Sequence, residues 1–217
     1  IKICKDLKDE RAFGFQNVIN GLRMISNADV YITGSNSRFL SKDILTEFRD
    51  RGDEIYVQPL SFKEIADSVN YESTDRLFNE YLMYGGMPLV LSFDDADAKM
   101  KYLNSLFDMT YRTDVEERNH ISKTREFDTL IKVMASSIGS LTNPSTIENT
   151  FNSVQHSDLS RDTISKYLDY LEDAFIIKKV NRYDIKGRKQ IGATYKYYFT
   201  DIGLRNSRVD FLHRDIG

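Results

Sequence analysis

Residues 15–25, FQNVINGLRMI, place Phe15, Val18, Ile19, Leu22 and Ile25 at helical spacing and predict an amphipathic helix. Ser26-Asn27-Ala28 then turns the chain into a β-branched and aromatic run, Asp29 to Thr33, that reads as a strand. This run stops abruptly in small polar residues, Thr33-Gly34-Ser35-Asn36-Ser37. Ser41-Lys42-Asp43 has the form of an N-cap and first turn, continued by Ile44, Leu45 and Phe48. After the charged RDRGD break, IYVQPL (55–60) reads as a second short strand closed by proline. Helix, strand, helix, strand in that order predicts the edge of an α/β sheet.

From Ser61 the pattern turns helical. SFKEIADSV is a capping box, with Ser61 as cap and Glu64 three residues later. TDRLFNEYLMYGG predicts a helix that begins near Thr74 and is stopped by Gly85-Gly86, and DAKMKYLNSLFDMTYRTDVEER predicts a long amphipathic one. Met83, Met87, Met100 and Met109 are scattered here, and filling gaps in a core is the common use of such methionines. From about Glu126 three further helices follow. FDTLIKVMASSIG ends at Gly139, Asn143-Pro144 opens STIENTFNSV, and Ser160 caps RDTISKYLDYLEDAF, whose expected buried stripe is Ile164, Leu168, Leu171 and Phe175. Two β runs, FIIKKVNRYD and TYKYYFTD, then flank a hairpin signal at Lys186-Gly187. Three helices followed by a two-stranded hairpin is the order of a winged helix-turn-helix. The expected fold is therefore mixed α/β and mostly helical, divided into 1–60, 61–122, 123–205 and a short tail, 206–217.

Composition narrows the class without naming a chemistry. The 217 residues can bury one large core or two to three small ones, and 41% apolar with 29% charged residues is the balance of a soluble globular protein. A formal net charge of −3 gives no global bias toward nucleic acid or membrane. The single cysteine, Cys4, cannot form an internal disulfide, and His120, His156 and His213 lie too far apart for metal-ligand spacing, so no metal is expected. A reducing cytoplasm is the natural expectation. No apolar run approaches the roughly 20 residues of a membrane span. The chain lacks an initiator Met and ends on Ile216-Gly217 without tail character, which suggests a fragment.

Nucleotide hydrolysis calls for a phosphate-cradling loop, G-x-x-x-x-G-K-[ST], and none occurs in the sequence. Asp9-Glu10 is the one acidic pair placed like a magnesium site, but KICKDLK before it is too charged for a buried strand. As an isolated chain this sequence is not expected to bind ATP. The last long helix carries Arg161 and Lys166 against Asp162, Asp169, Glu172 and Asp173, whereas the hairpin is strongly basic. An acidic third helix argues against base-specific readout in a groove flanked by phosphates. Arg182, Lys186, Arg188 and Lys189 are the candidate nucleic-acid-binding residues, with Tyr183 and Tyr195 available for stacking. The same lysines also suit a solvated edge hairpin that resists aggregation. In TYRTDVEERN the carboxylates of Asp114, Glu116 and Glu117 lie between Arg112 and Arg118, which fits an intrahelical salt-bridged surface better than a catalytic pair.

Six phrases occur in order: ITGSNS, FRDRGDEIYVQPLSFKE, YLMYGGMPLVL, TISKYLDYLEDAFII, RYDIKG and KYYFTDIGLRN. Together they resemble the predicted AAA-type ATPases of bacteria and archaea that carry a C-terminal domain of unknown function. The resemblance runs from about Phe15 to Asn206. It implies an ATPase core, a small helical lid, a winged helix and a terminal nuclease-like fold, so that 1–60 would be the end of the core and 61–122 the lid. It also implies that Ser35 or Asn36 faces a γ-phosphate and attacking water, and that Arg51 is an arginine finger or phosphate-sensing cation. The pair Gly85-Gly86 with Pro88 matches the lid signature, in a structural rather than catalytic role.

This sequence departs from the family pattern at several points. Leu7-Lys8 stand where the family has its acidic magnesium strand, Asp50 stands where it commonly has Gly, and only a short stretch follows IGLRN. The expectation is thus the sensor, lid and winged-helix portion of an AAA-type protein. ATP and Mg2+ would belong to the full-length protein, with none expected for this chain alone. The alternative is a winged-helix module that docks protein or DNA without nucleotide chemistry.

Overall fold

In a computed structural model, residues 15–34, 53, 55–69, 73–154, 159–181 and 194–209 are described. The chain falls into two compact units, Ile1–Ile55 and Tyr56–Gly217. In the first, α1 (Phe15–Arg23) forms where the spacing predicts, and Ile19 is buried, although Val18, Leu22 and Ile25 are about half exposed. Neither expected strand forms. Residues 29–34 and 55–60 follow irregular paths, with Tyr31 86% and Val57 85% exposed. A strand exists only where a neighbour takes up its N–H and C=O groups, and no strand among the described residues pairs with these segments. The helix expected from Ser41 and the turn at Lys186-Gly187 lie outside the described residues.

The second unit opens with α2 (Phe62–Ser68), fixed by the capping box. Glu64 N donates to Ser61 Oγ at 3.3 Å while Ser61 N donates back to Glu64 Oε2 at 2.8 Å. The Ser61 amide and then its hydroxyl, both donating to Glu64 Oε2 at 2.8 Å, hold that carboxyl below its ordinary range. Ser73 caps α3 (Thr74–Tyr84), which stops at Gly85, where a φ of +74° lies in the left-handed region that favours glycine. A 3-10 turn (Pro88–Ser92) leads to α4 (Ala96–Leu106), capped by Asp95. This helix runs on through a π-helical stretch (Phe107–Arg112) into α5 (Thr113–Arg118), giving the long helix the sequence predicts. Leu103, Phe107 and Val115 form its buried stripe, and Met100 lies in the core with Met83 and Met87 packed against it. Met109 falls off that stripe and is 75% exposed, so it does not fill the core as expected.

Three helices follow, α6 (Thr124–Ser136), α7 (Pro144–Val154) and α8 (Arg161–Asp173), started at the last two by Asn143 and Ser160. Ile164, Leu168 and Leu171 are buried as expected, but Phe175 leaves the stripe. It lies beyond the helix end at φ +57°, and Ile176 and Ile177 fill the core in its place. Strands β1 (Ile177–Val180) and β2 (Lys196–Phe199) pair antiparallel, with Ile177 opposite Phe199 and Val180 opposite Lys196. Ile177 and Tyr197 point inward, while Lys178 and Tyr198 point out. Thr142, between α6 and α7, exchanges both backbone bonds with Tyr195 at 2.9 and 2.8 Å. The chain then enters α9 (Ile202–Asn206).

One hydrophobic cluster extends from Tyr84 through Phe107, Phe127, Phe151 and Ile164 to Leu204. Helices on both sides of residue 123 therefore share a core. Among the described residues no helix is long and apolar enough to cross a membrane.

Two substitutions grade this architecture. Phe127→Ala, at a fully buried ring set edge-on to Tyr167 at 5.1 Å, should cost about 3–5 kcal/mol. Ser61→Ala removes one cap and should cost about 1 kcal/mol. Urea unfolding followed by circular dichroism should return them in that order.

Candidate functional site

The expected phosphate-facing strand end is Thr33 to Ser37, of which Thr33 and Gly34 are described. Thr33 and Gly34 are exposed. Ser35, Asn36 and Arg51 lie outside the described residues, as do Arg182, Tyr183, Lys186, Arg188 and Lys189. Of the expected basic hairpin only the strand pair is described, where Lys178, Val180, Lys196 and Tyr198 are exposed together on the outer face. The Lys179 ammonium sits 3.8 Å from the ring centre of Tyr195, over one of its two faces.

The structure brings together a different set of residues. Asp201, 4% exposed, accepts from Gly86 N at 2.7 Å and, as the N-cap of α9, from Leu204 N at 2.8 Å. Gly86 O in turn accepts from Leu60 N at 2.8 Å. Backbone and carboxylate approach so closely here that side chains are excluded. A Cβ at Gly86 would run into the Leu60 carbonyl, and one at Gly203 into the Tyr84 carbonyl. Asn206 completes the junction by donating to the carbonyls of Leu82 and Met83, at 2.8 and 2.9 Å, in the last turn of α3.

Burial pushes the Asp201 carboxyl above its ordinary value, against the opposing pull of the Gly86, Leu204 and Gly203 amides. Burial, and then the Asp201 charge, also raises the Tyr81, Tyr102 and Tyr111 hydroxyls.

A second polar cluster surrounds the π-helical stretch. Arg208, its side chain 7% exposed, donates to Asp108 Oδ1 at 2.8 Å and to Asn104, and lies over the Phe107 ring at 4.5 Å. Arg112 is ion-paired with Asp108 at 3.4 Å and with Asp128 at 3.9 Å. Burial pushes the nearby Glu116 carboxyl up, while Arg112 pulls it down. Arg118 and Asp114 form the expected intrahelical pair at 2.7 Å. Among the described residues no group of three or more His, Cys, Asp or Glu is placed to hold a metal ion.

Asp201, Asn206 and Arg208 were not singled out from the sequence as acting residues. The available signal was Thr-Asp-Ile-Gly-Leu, in which Asp201 stands three residues before the amide it caps.

Comparison with known proteins adds two matches along the chain. A model described as a domain of unknown function, DUF8612, matches residues 75–213, and an AAA domain model matches residues 10–66. An uncharacterized protein of Haemophilus influenzae is 39% identical over 209 residues, covering 94% of this chain and 52% of the relative. An uncharacterized protein of Methanocaldococcus jannaschii is 27% identical over 232 residues, covering 97% of this chain and 51% of its own length. The chain thus spans about half the length of these curated relatives. No solved structure matches.

The Asp201 junction makes its own predictions. Gly86→Ala and Gly203→Ala should each destabilise by about 2 kcal/mol or more, whereas Gly21→Ala, which meets nothing within 4 Å, should be neutral or stabilising by up to about 1 kcal/mol. A carbon-13 titration should place the Asp201 midpoint above the ordinary aspartate value of about 3.9. The folded state then binds this proton more tightly than the unfolded chain. Stability supplied through Asp201 is therefore fully present below the ordinary value and is lost as pH rises through the folded one. A midpoint near 3.9 would remove that pH dependence, and one below it would reverse the sign.

Proposed function

Since the chain belongs to the DUF8612 family and carries an AAA-domain segment ahead of that match, we propose that it supplies the sensor, lid and winged-helix portions of an AAA-type ATP-binding protein. The observation that carries this reading is the AAA-domain match itself, because residues 10–66 contain Ser35, Asn36 and Arg51. A small polar side chain at 35 or 36 would orient water at the γ-phosphate, and Arg51 would offset the charge that develops in phosphoryl transfer. The phosphate loop and the magnesium-binding acid would come from polypeptide outside these 217 residues. ATP and Mg2+ would then bind only the longer protein, and this chain alone would be inactive.

The region after residue 123 supports the winged-helix assignment. Three helices precede an antiparallel strand pair, and Thr142 adds a third short rung beside Tyr195. A second reading, docking of nucleic acid or protein, is favoured by the exposed Lys178, Lys196 and Tyr198 at the wing base. The outer face of α8 exposes Asp162 and Asp169 beside Arg161 and Lys166, which disfavours entry into a major groove and leaves backbone contact or a protein surface.

Calorimetry tests the first reading, and DNA binding tests the second. This chain alone should show no ATP binding, and micromolar affinity would overturn the proposal. In a longer polypeptide carrying the phosphate loop, Arg51→Ala should lower ATP turnover about a thousandfold. Fluorescence anisotropy with random duplex DNA should detect binding that weakens with salt and with Lys178→Glu. Absence of any such binding would leave protein docking as the use of the wing.

A further inference from the structure

The segment 56–60 is fixed at both ends to the wing-bearing unit. The AAA-domain match continues to residue 66, but the chain joins the second compact unit at Tyr56. There the Tyr56 ring meets the Phe175 ring edge-on, with centres 4.8 Å apart. Phe175 sits at φ +57° in the tight turn between α8 and β1. That turn is tied to the end of β2, because Thr200 Oγ1 donates to Phe175 O at 2.6 Å and Thr200 N donates to Ile176 O at 3.0 Å. Thr200 adjoins Asp201, Asp201 accepts from Gly86 N at 2.7 Å, and Gly86 O accepts from Leu60 N at 2.8 Å. Leu60 returns to Tyr56 along the chain. The contacts therefore close a ring, 56–175–200–201–86–60.

We propose that residues 56–60 are a strap clasped at Phe175 and at Gly86–Asp201, and that this ring of contacts opens and closes as one cooperative element. A closed ring differs from a row of separate bonds, because each vertex limits the freedom of the next. Neighbouring contacts of this kind open together as a local folding unit. Only the purpose of the strap rests on the AAA-type reading. A shift of the segment covered by the AAA match would reset the turn that carries the wing. Phe175 is also a vertex at which a residue other than glycine occupies a left-handed conformation, so the turn persists only while its surroundings hold it.

Amide hydrogen exchange of the whole chain, measured by NMR without nucleotide, tests the ring separately from ATP binding. Asp201→Ala removes both accepting oxygens and breaks the junction at a single vertex. The amides of Gly86 and Leu204 should then exchange faster, and those of Leu60 and Thr200 should follow by about tenfold or more, the equivalent of one lost hydrogen bond. The Leu168 amide inside α8 should keep its rate. Wild-type rates at Leu60 and Thr200 in that variant would overturn the proposal. Tyr56→Ala enters the ring from the opposite side and leaves every backbone bond in place, so it decides the question if Asp201→Ala does not fold. It should speed exchange at Thr200 and Gly86, and unchanged rates there would equally overturn the proposal.

Discussion

The second unit depends on one contact between groups 115 residues apart in sequence, the Asp201 carboxylate and the Gly86 amide. Everything around it is arranged so that backbone can reach backbone. Gly85 turns through a conformation that side chains avoid, and Gly86 and Gly203 leave no space for a Cβ. The end of α3 then abuts the start of α9 with its last carbonyls taken by Asn206. A buried carboxylate is costly to desolvate, and its position is tolerable because amides from both sides of the junction point at it.

From that junction the residues after β2 reach outward to three helices. Asn206 holds α3, Arg205 donates to the Ala135 carbonyl near the end of α6, and Arg208 holds the π-helical stretch through Asp108 and Asn104. A stretch of fewer than ten residues thus ties the helices before residue 123 to those after it, and the single hydrophobic cluster from Tyr84 to Leu204 reflects that joining. The YLMYGG and TDIGLRN phrases are two halves of one contact. In the proposed AAA-type setting, this gives a lid-like region and a wing that share one core.

Much of the local structure was legible in the sequence. Ser61 with Glu64, Ser73, Asn143 and Ser160 start helices because their side chains satisfy amides within the same turn. The stripe of Ile164, Leu168 and Leu171 follows from the helical period alone. No strand forms at 29–33 or 55–60, because β-branched and aromatic residues mark a chain suited to pairing, while pairing itself needs a neighbour. Phe175 was misassigned for a related reason, since the period could be extended on paper past the point where the helix ends. Of the candidate site, the sequence offered Ser35, Asn36, Arg51 and the basic wing residues by resemblance and charge. Those positions lie outside the described residues.

The sequence by itself determined where helices start, which faces are apolar, and that three helices precede a pair of strands, because these depend on interactions within a few residues. Only the tertiary structure decided that Asp201 is buried against Gly86, that Asn206 and Arg208 act on helices about a hundred residues earlier, and that Tyr56 rests on Phe175. Each of those joins residues distant in the chain, and their partners are chosen by packing geometry that no local pattern encodes.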